Sequence, residues 1–211
     1  MISFSTNSWN RVRYRLLAPI YDFIVSRLDK HRRRSLELAE IQPGERVLLL
    51  GAGTGLDLPL LPHGCSITAI DITPAMIERL GRRARELDLS VDARVMDGQA
   101  LDLATASFDV VVLHLILAVI PDPYRCIREA ARVLKPDGRA VIFDKFIPDG
   151  SRAPLILQLL QPIASLIGTE LNRRLGPMLE AAGWVRRRDE AALLGGFFRI
   201  VVAQPAGAIQ W

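Results

Sequence analysis

The chain has 211 residues, half of them hydrophobic and 24% charged, and carries a net charge of +4. This balance excludes a disordered chain, and 15 glycines with 13 prolines exclude collagen-like and low-complexity classes. Cys65 and Cys126 lie far apart, and His31, His63 and His114 are scattered, so neither a disulfide scaffold nor a zinc site is expected. The strongest apolar run, Val110 to Ile120, is far short of the ~20 residues of a spanning helix. The opening MISFSTNSWNRVRYR has no apolar core before its arginines, so the expected compartment is the cytoplasm.

Residues 10–39 read as a helix, with Leu16, Ile20, Phe23, Ile24 and Leu28 at helical spacing and Pro19 as a break. Between Arg11 and Arg34 stand eight Lys/Arg against Asp22 and Asp29. This basic arm reads as a solvated helix face or as a contact with an anionic membrane surface. Nucleic acid is disfavoured, because the arm lacks interleaved aromatics beyond Trp9 and Tyr14.

The segment QPGERVLLLGAGTG then reads as a turn, a buried strand over 46–50 and a glycine loop, with a helix opening near Asp57 or Leu58. SITAID is a second strand ending at Asp71. The helix that follows has Thr73 as N-cap and Pro74 in its first turn. DARVMD is a third strand ending at Asp97. FDVVVLHLI is a fourth, apolar on both faces as inside a parallel sheet. DPYRCIREAARVLK is a helix, RAVIFDKF a fifth strand, and TELNRRLGPMLEAAG a helix. WVRRRDEA and GFFRIVVAQP close the chain, with too short a connection for a crossover, so they pair antiparallel. The fold expected is α/β: a Rossmann-like, mostly parallel seven-stranded sheet with helices on both faces and a C-terminal antiparallel hairpin.

Parallel strands deliver their carboxyl ends to one edge, where ligands bind. There the first strand brings Gly51, Ala52, Gly53 and Gly55, and the next two bring Asp71 and Asp97. No Lys-Ser or Lys-Thr follows the loop, so it is not a nucleotide-triphosphate P-loop. The third glycine of a dinucleotide fingerprint is replaced by Leu56, which disfavours a nicotinamide dehydrogenase. Carboxylates framing the crevice, with Asp57 just past the loop, suit a ligand without phosphates that carries positive charge.

The motifs VLLLGAGTGLDL, ITAIDITPAMIERL, ARVMDGQAL, FDVVVLHLILAVIPDP and LKPDGRAVIFD stand in this order over residues 45–145. LEAAGW and GFFRIVVAQP extend the pattern. In this order and spacing the chain resembles a class I S-adenosylmethionine-dependent methyltransferase. Its opening YRLLAPIYDFIVSRL resembles the small bacterial enzymes that methylate phosphatidylethanolamine or quinone precursors. The resemblance implies that Gly51–Gly55 pass the methionine part of S-adenosylmethionine and that Asp71 holds the ribose. It implies Ile72 and Met76 beside the adenine, Asp97 at the adenine amino group, and Gly98 and Gln99 close by. His114 would sit where the methyl group leaves. An amine acceptor needs only to arrive neutral, whereas a phenol or carbon acid needs a base, for which His114 is the natural candidate; a packed histidine is the competing reading. Tyr21 would cover the cofactor or contact the acceptor.

The division expected on this basis is one methyltransferase domain over 1–211. It comprises an N-terminal helical arm or lid (1–40), a cofactor-binding core (45–145), a substrate cap (146–170) and a closing helix and hairpin (171–211). The acceptor expected is a small molecule or lipid-like amine, hydroxyl or quinone, and the chain a monomer or homodimer, peripheral at the inner membrane surface if the arm binds there. One departure stands out: many members of the family carry Asp or Glu two residues before the first loop glycine, and here that residue is Leu49. It favours the alternative of a partner protein that binds S-adenosylmethionine without turnover. An RNA methyltransferase is disfavoured, since HLIL is not its catalytic tetrapeptide.

Overall fold

A computed structural model of the chain describes residues 28–149 and 169–207. Tyr21, most of the N-terminal arm and most of the 146–170 cap lie outside the described residues. Seven strands form one sheet: β1 (Arg46–Leu50), β2 (Ser66–Asp71), β3 (Val91–Val95), β4 (Phe108–His114), β5 (Leu134–Lys145), β6 (Trp184–Leu193) and β7 (Phe198–Pro205). Their order is β3-β2-β1-β4-β5-β7-β6. The first five run parallel, and β7 lies antiparallel to both β5 and β6. Val47, Leu48, Leu49 and Leu50 of β1 are all buried, as are Val110 to Leu113 of β4. That is the continuous apolar signature of strands covered on both faces.

Helices α1 (Asp29–Ala39) and α2 (Pro74–Glu86) cover one face, where Leu36, Leu38, Leu80 and Ala84 meet Val47, Leu49, Val112 and Phe143. Helices α3 (Pro123–Val133) and α4 (Leu175–Ala181) cover the other, through Cys126, Ile127, Ala130, Leu175 and Met178. Pro74 and Pro123 each occupy a first turn, where a missing N–H costs nothing. Asp122 caps α3 by accepting from Arg125 N at 2.9 Å. Thr73 stands at the N-cap of α2, but its side chain makes no cap bond.

Three expectations are corrected. The helix expected near Asp57 is only a single 3₁₀ turn, Leu58–Leu60, because Leu61 is extended and Pro62 after it has no N–H to carry the helix on. The fourth strand stops at His114, because Leu115 turns into the left-handed region at φ 59°. The last helix begins at Leu175 rather than Thr169. The backbone before it is spent elsewhere: Glu170 N donates to Ala118 O, and Arg173 O accepts from Ile147 N.

The far end of α1 is tied down by Arg139 of β5. Its guanidinium donates to the Ala39 and Glu40 carbonyls and, at 2.8 Å, to both carboxylate oxygens of Glu45. Arg139→Ala is expected to lower the free energy of unfolding by about 1–3 kcal/mol, measured by urea denaturation.

Candidate active site

The turn out of β1 is sharp because Gly51 N and Ala52 N both donate to Ile70 O, at 2.9 and 2.8 Å. Gly51 has φ 75°, and a Cβ there would lie 2.7 Å from Ile116 Cδ1. Gly55 has φ 79°, and its Cβ would press on Leu58 and Leu80. Gly53 differs, for nothing lies within 4 Å of its Cβ position. Its backbone is open to a ligand. Asp71 joins the loop to the next motif: Oδ2 accepts from Gly53 N at 3.0 Å and Oδ1 from Thr73 N at 2.8 Å.

These elements frame a cleft of ≈ 700 Å³ at the carboxyl edge of the sheet. Gly51, Gly53, Asp71, Ile72, Met76, Asp97, Gly98 and His114 line it together. Ala52, Gly55 and Gln99 do not. Gln99 is a latch instead, donating from Nε2 to Asp97 and accepting from Asp122 N, which ties the third motif to α3. Sequence reasoning missed the opposite wall, Leu115, Ile116, Val119, Ile120 and Pro121. Its signal was the apolar run that continues past His114, read there as more strand. Asp144 and Arg173 hold this wall from behind. Asp144 Oδ2 accepts from Ala118 N at 2.9 Å, and Arg173 donates to the Leu117 and Ile120 carbonyls at 2.5 and 2.6 Å.

His114 is the site's most constrained side chain, with only 2% exposure. Its Nδ1 lies 2.9 Å from Asp57 Oδ1 and its Nε2 2.9 Å from Ser35 Oγ. Both ring nitrogens are therefore committed, one to the end of the glycine loop and one to α1. Asp57 also accepts from Arg32 Nη1 at 2.8 Å. Asp57 does not frame the cleft, as its place after the loop suggested; it is buried and balanced by an arginine of the basic arm. Burial pushes the Asp57 carboxyl up, but the neighbouring His114 and Arg32 and the hydrogen bonds they make outweigh it and hold it far below the usual carboxylate range. The stabilisation so gained is complete above the unfolded value, near ~4, and is lost as pH falls towards the folded one.

Known proteins share this plan. Residues 48–142 match the family described as a methyltransferase domain. The chain is 33% identical over 151 residues to a phosphatidylethanolamine N-methyltransferase of Cereibacter sphaeroides, covering 71% of this chain and 74% of that one. The chain belongs to the S-adenosylmethionine-dependent methyltransferases. It is also 32% identical over 186 residues to a ubiquinone biosynthesis O-methyltransferase of Xanthomonas oryzae pv. oryzae, covering 81% of this chain and 71% of that one. Among solved structures, the [4+2]-cyclase SpnF superposes with a TM-score of 0.78 at 19% identity, covering 97% of this chain and 98% of that one. That likeness concerns the fold alone. The expected fold and enzyme class are thereby met, and the methyl donor is S-adenosylmethionine.

Two predictions follow from the electrostatics of this methyltransferase. Burial raises the Asp71 carboxyl above its usual range, against the bonds from Thr73 and Gly53 that lower it. On the expectation that Asp71 holds the ribose, affinity for S-adenosylmethionine should weaken as pH falls through that raised value. Asp71→Asn should cost about tenfold or more in calorimetric affinity and remove this pH dependence. In acid, the urea midpoint should drop below the usual carboxylate range, and Asp57→Asn should abolish the part of that drop due to Asp57.

Proposed function

We propose that this methyltransferase transfers its methyl group to the amine of a small or lipid-like acceptor, a phospholipid head-group amine being the model. The observation that carries the reading is the commitment of both His114 nitrogens. Among the described residues no other imidazole lines the cleft, and both nitrogens of this one are hydrogen-bonded within the protein, to Asp57 and Ser35, rather than aimed at a phenol or carbon acid. An amine attacks with its own lone pair and requires no such base. The similarity to a phosphatidylethanolamine N-methyltransferase points the same way.

The residues present suit the cofactor. The open backbone at Gly53, the apolar walls at Ile72, Met76 and Ile120, and two carboxylates match an uncharged ribose and adenine joined to a cationic sulfonium. In this reading Asp71 accepts from the ribose hydroxyls, Ile72 and Met76 pack on the adenine, and Asp97 accepts from its amino group. When bound, S-adenosylmethionine supplies a methyl group already activated on sulfur. The chain itself aligns the acceptor and excludes water with Leu115 and Ile116. Tyr21 and the 146–170 segment are assigned to the acceptor side. The basic arm, whose Lys30 and Arg33 are exposed on α1, is assigned to an anionic surface.

The test is transfer of labelled methyl to phosphatidylethanolamine in mixed micelles, against a demethylquinol and a catechol. Label on the phospholipid amine is expected, at a rate that rises with pH as the amine deprotonates. Label confined to the quinol or catechol would overturn the amine reading. Binding of S-adenosylmethionine with no labelled product would favour a partner protein without turnover.

A further inference from the structure

We propose that α1 is a working part of the cofactor site, and that Asp57 is its positioning residue, supplying from beyond the glycine loop the fixed carboxylate that position 49 lacks. The inference rests on the reading that the Gly51–Gly55 loop and Asp71 hold S-adenosylmethionine.

Leu49 pairs with Val112 across β1 and β4 and is buried in the apolar cluster under α1. Side chains alternate along a strand, so Val112 and His114 share a face. An acid at 49 would belong to that same face. Asp57 reaches it from the other end of the loop, where Arg32 and His114 meet its carboxylate and Ser35 meets the far nitrogen of His114. The Ser35, Arg32, Asp57 and His114 residues are each at least nine-tenths buried. They come from three places: α1, the end of the loop, and β4.

A buried ion pair of this kind adds little net stability compared with an apolar packing of the same shape. What it does supply is geometry. A neutral ring satisfies both contacts when Nδ1–H donates to Asp57 and the Ser35 hydroxyl donates to Nε2. The ring so held is followed directly by Leu115, whose left-handed backbone is anchored by its N–H to Phe143 O at 2.8 Å. His114 and Leu115 both line the cleft. Moving α1 off the sheet would remove Ser35 and Arg32 together, leaving the ring and the carboxylate only each other. Docking of α1 and binding in the cleft are therefore linked, each favouring the other.

The experiment compares wild type with Ser35→Ala, Asp57→Asn and the double variant Arg32→Met/Asp57→Asn. It reads S-adenosylmethionine affinity by calorimetry, melting temperature, and the His114 ring nitrogens by ¹⁵N NMR. Wild type should show the Nδ1–H tautomer. Asp57→Asn should lose about tenfold or more in affinity and melt lower, since Arg32 is left without its carboxylate. The double variant, freed of both charges, should recover melting temperature but not affinity. Ser35→Ala should leave the melting temperature nearly unchanged and mix the tautomers. Should Asp57→Asn fail to fold, the double variant carries the test. Wild-type affinity in a folded Asp57 variant, or a wild-type ring protonated on Nε2 alone, would overturn the proposal. Wild-type protein that does not bind S-adenosylmethionine would instead overturn the reading of the cleft beneath it.

Discussion

The parallel pairing of β1 with both β2 and β4 sets the rest of the structure. The chain leaves β1, crosses to β2 on one side, and later returns to β4 on the other. A crevice opens where the two directions part, at the carboxyl ends of the strands. Because all five strands from β1 to β5 point the same way, Gly51, Asp71 and His114 arrive at that edge together, with Asp97 two residues past β3. The turn at Gly51 is a direct consequence. Two consecutive N–H groups must meet the single Ile70 carbonyl while Ile116 closes over the α-carbon, and only a residue without a Cβ tolerates both.

Polar backbone at this depth needs partners, and the chain provides them from both faces of the sheet. On the α1 face, Asp57 accepts from Arg32 and is hydrogen-bonded to His114, whose other nitrogen meets Ser35. On the other, Asp144 takes the Ala118 amide, and Arg173 caps two carbonyls of the same loop. Burial pushes the Asp144 carboxyl up and the Arg173 guanidinium down, so each is held at a cost. The return is a wall from 115 to 121 fixed from behind while its inner surface stays apolar. The ligand side of the cleft is thus shaped by charges that do not touch it.

The structural likeness to a [4+2]-cyclase shows how little of the chemistry lies in the fold. The sheet edge specifies a place for a ligand. Among the described residues, α1 reaches that edge from outside the sheet, contributing Arg32 and Ser35 to the network around Asp57 and His114.

Much of the plan was legible in the chain because its signals are short-ranged. Unbroken apolar runs marked β1 and β4, Pro74 marked the start of α2, and glycines after a buried strand marked the loop. Asp71 and Asp97 were legible as acids at strand ends, since parallelism alone puts strand ends on one edge. Pro62 was also a local signal, and the helix expected before it failed because a proline beyond the first turn has no N–H to carry the helix on. The environment of His114 had no such signal. Its partners stand 79 and 57 residues away along the chain, and no periodicity or spacing relates them. By itself the sequence determined the strands, their direction and the ligand edge, through backbone preferences that act over a few residues. Only the tertiary structure decided which charges are buried and with whom, because a buried charge persists only where distant segments bring its counter-charge into contact.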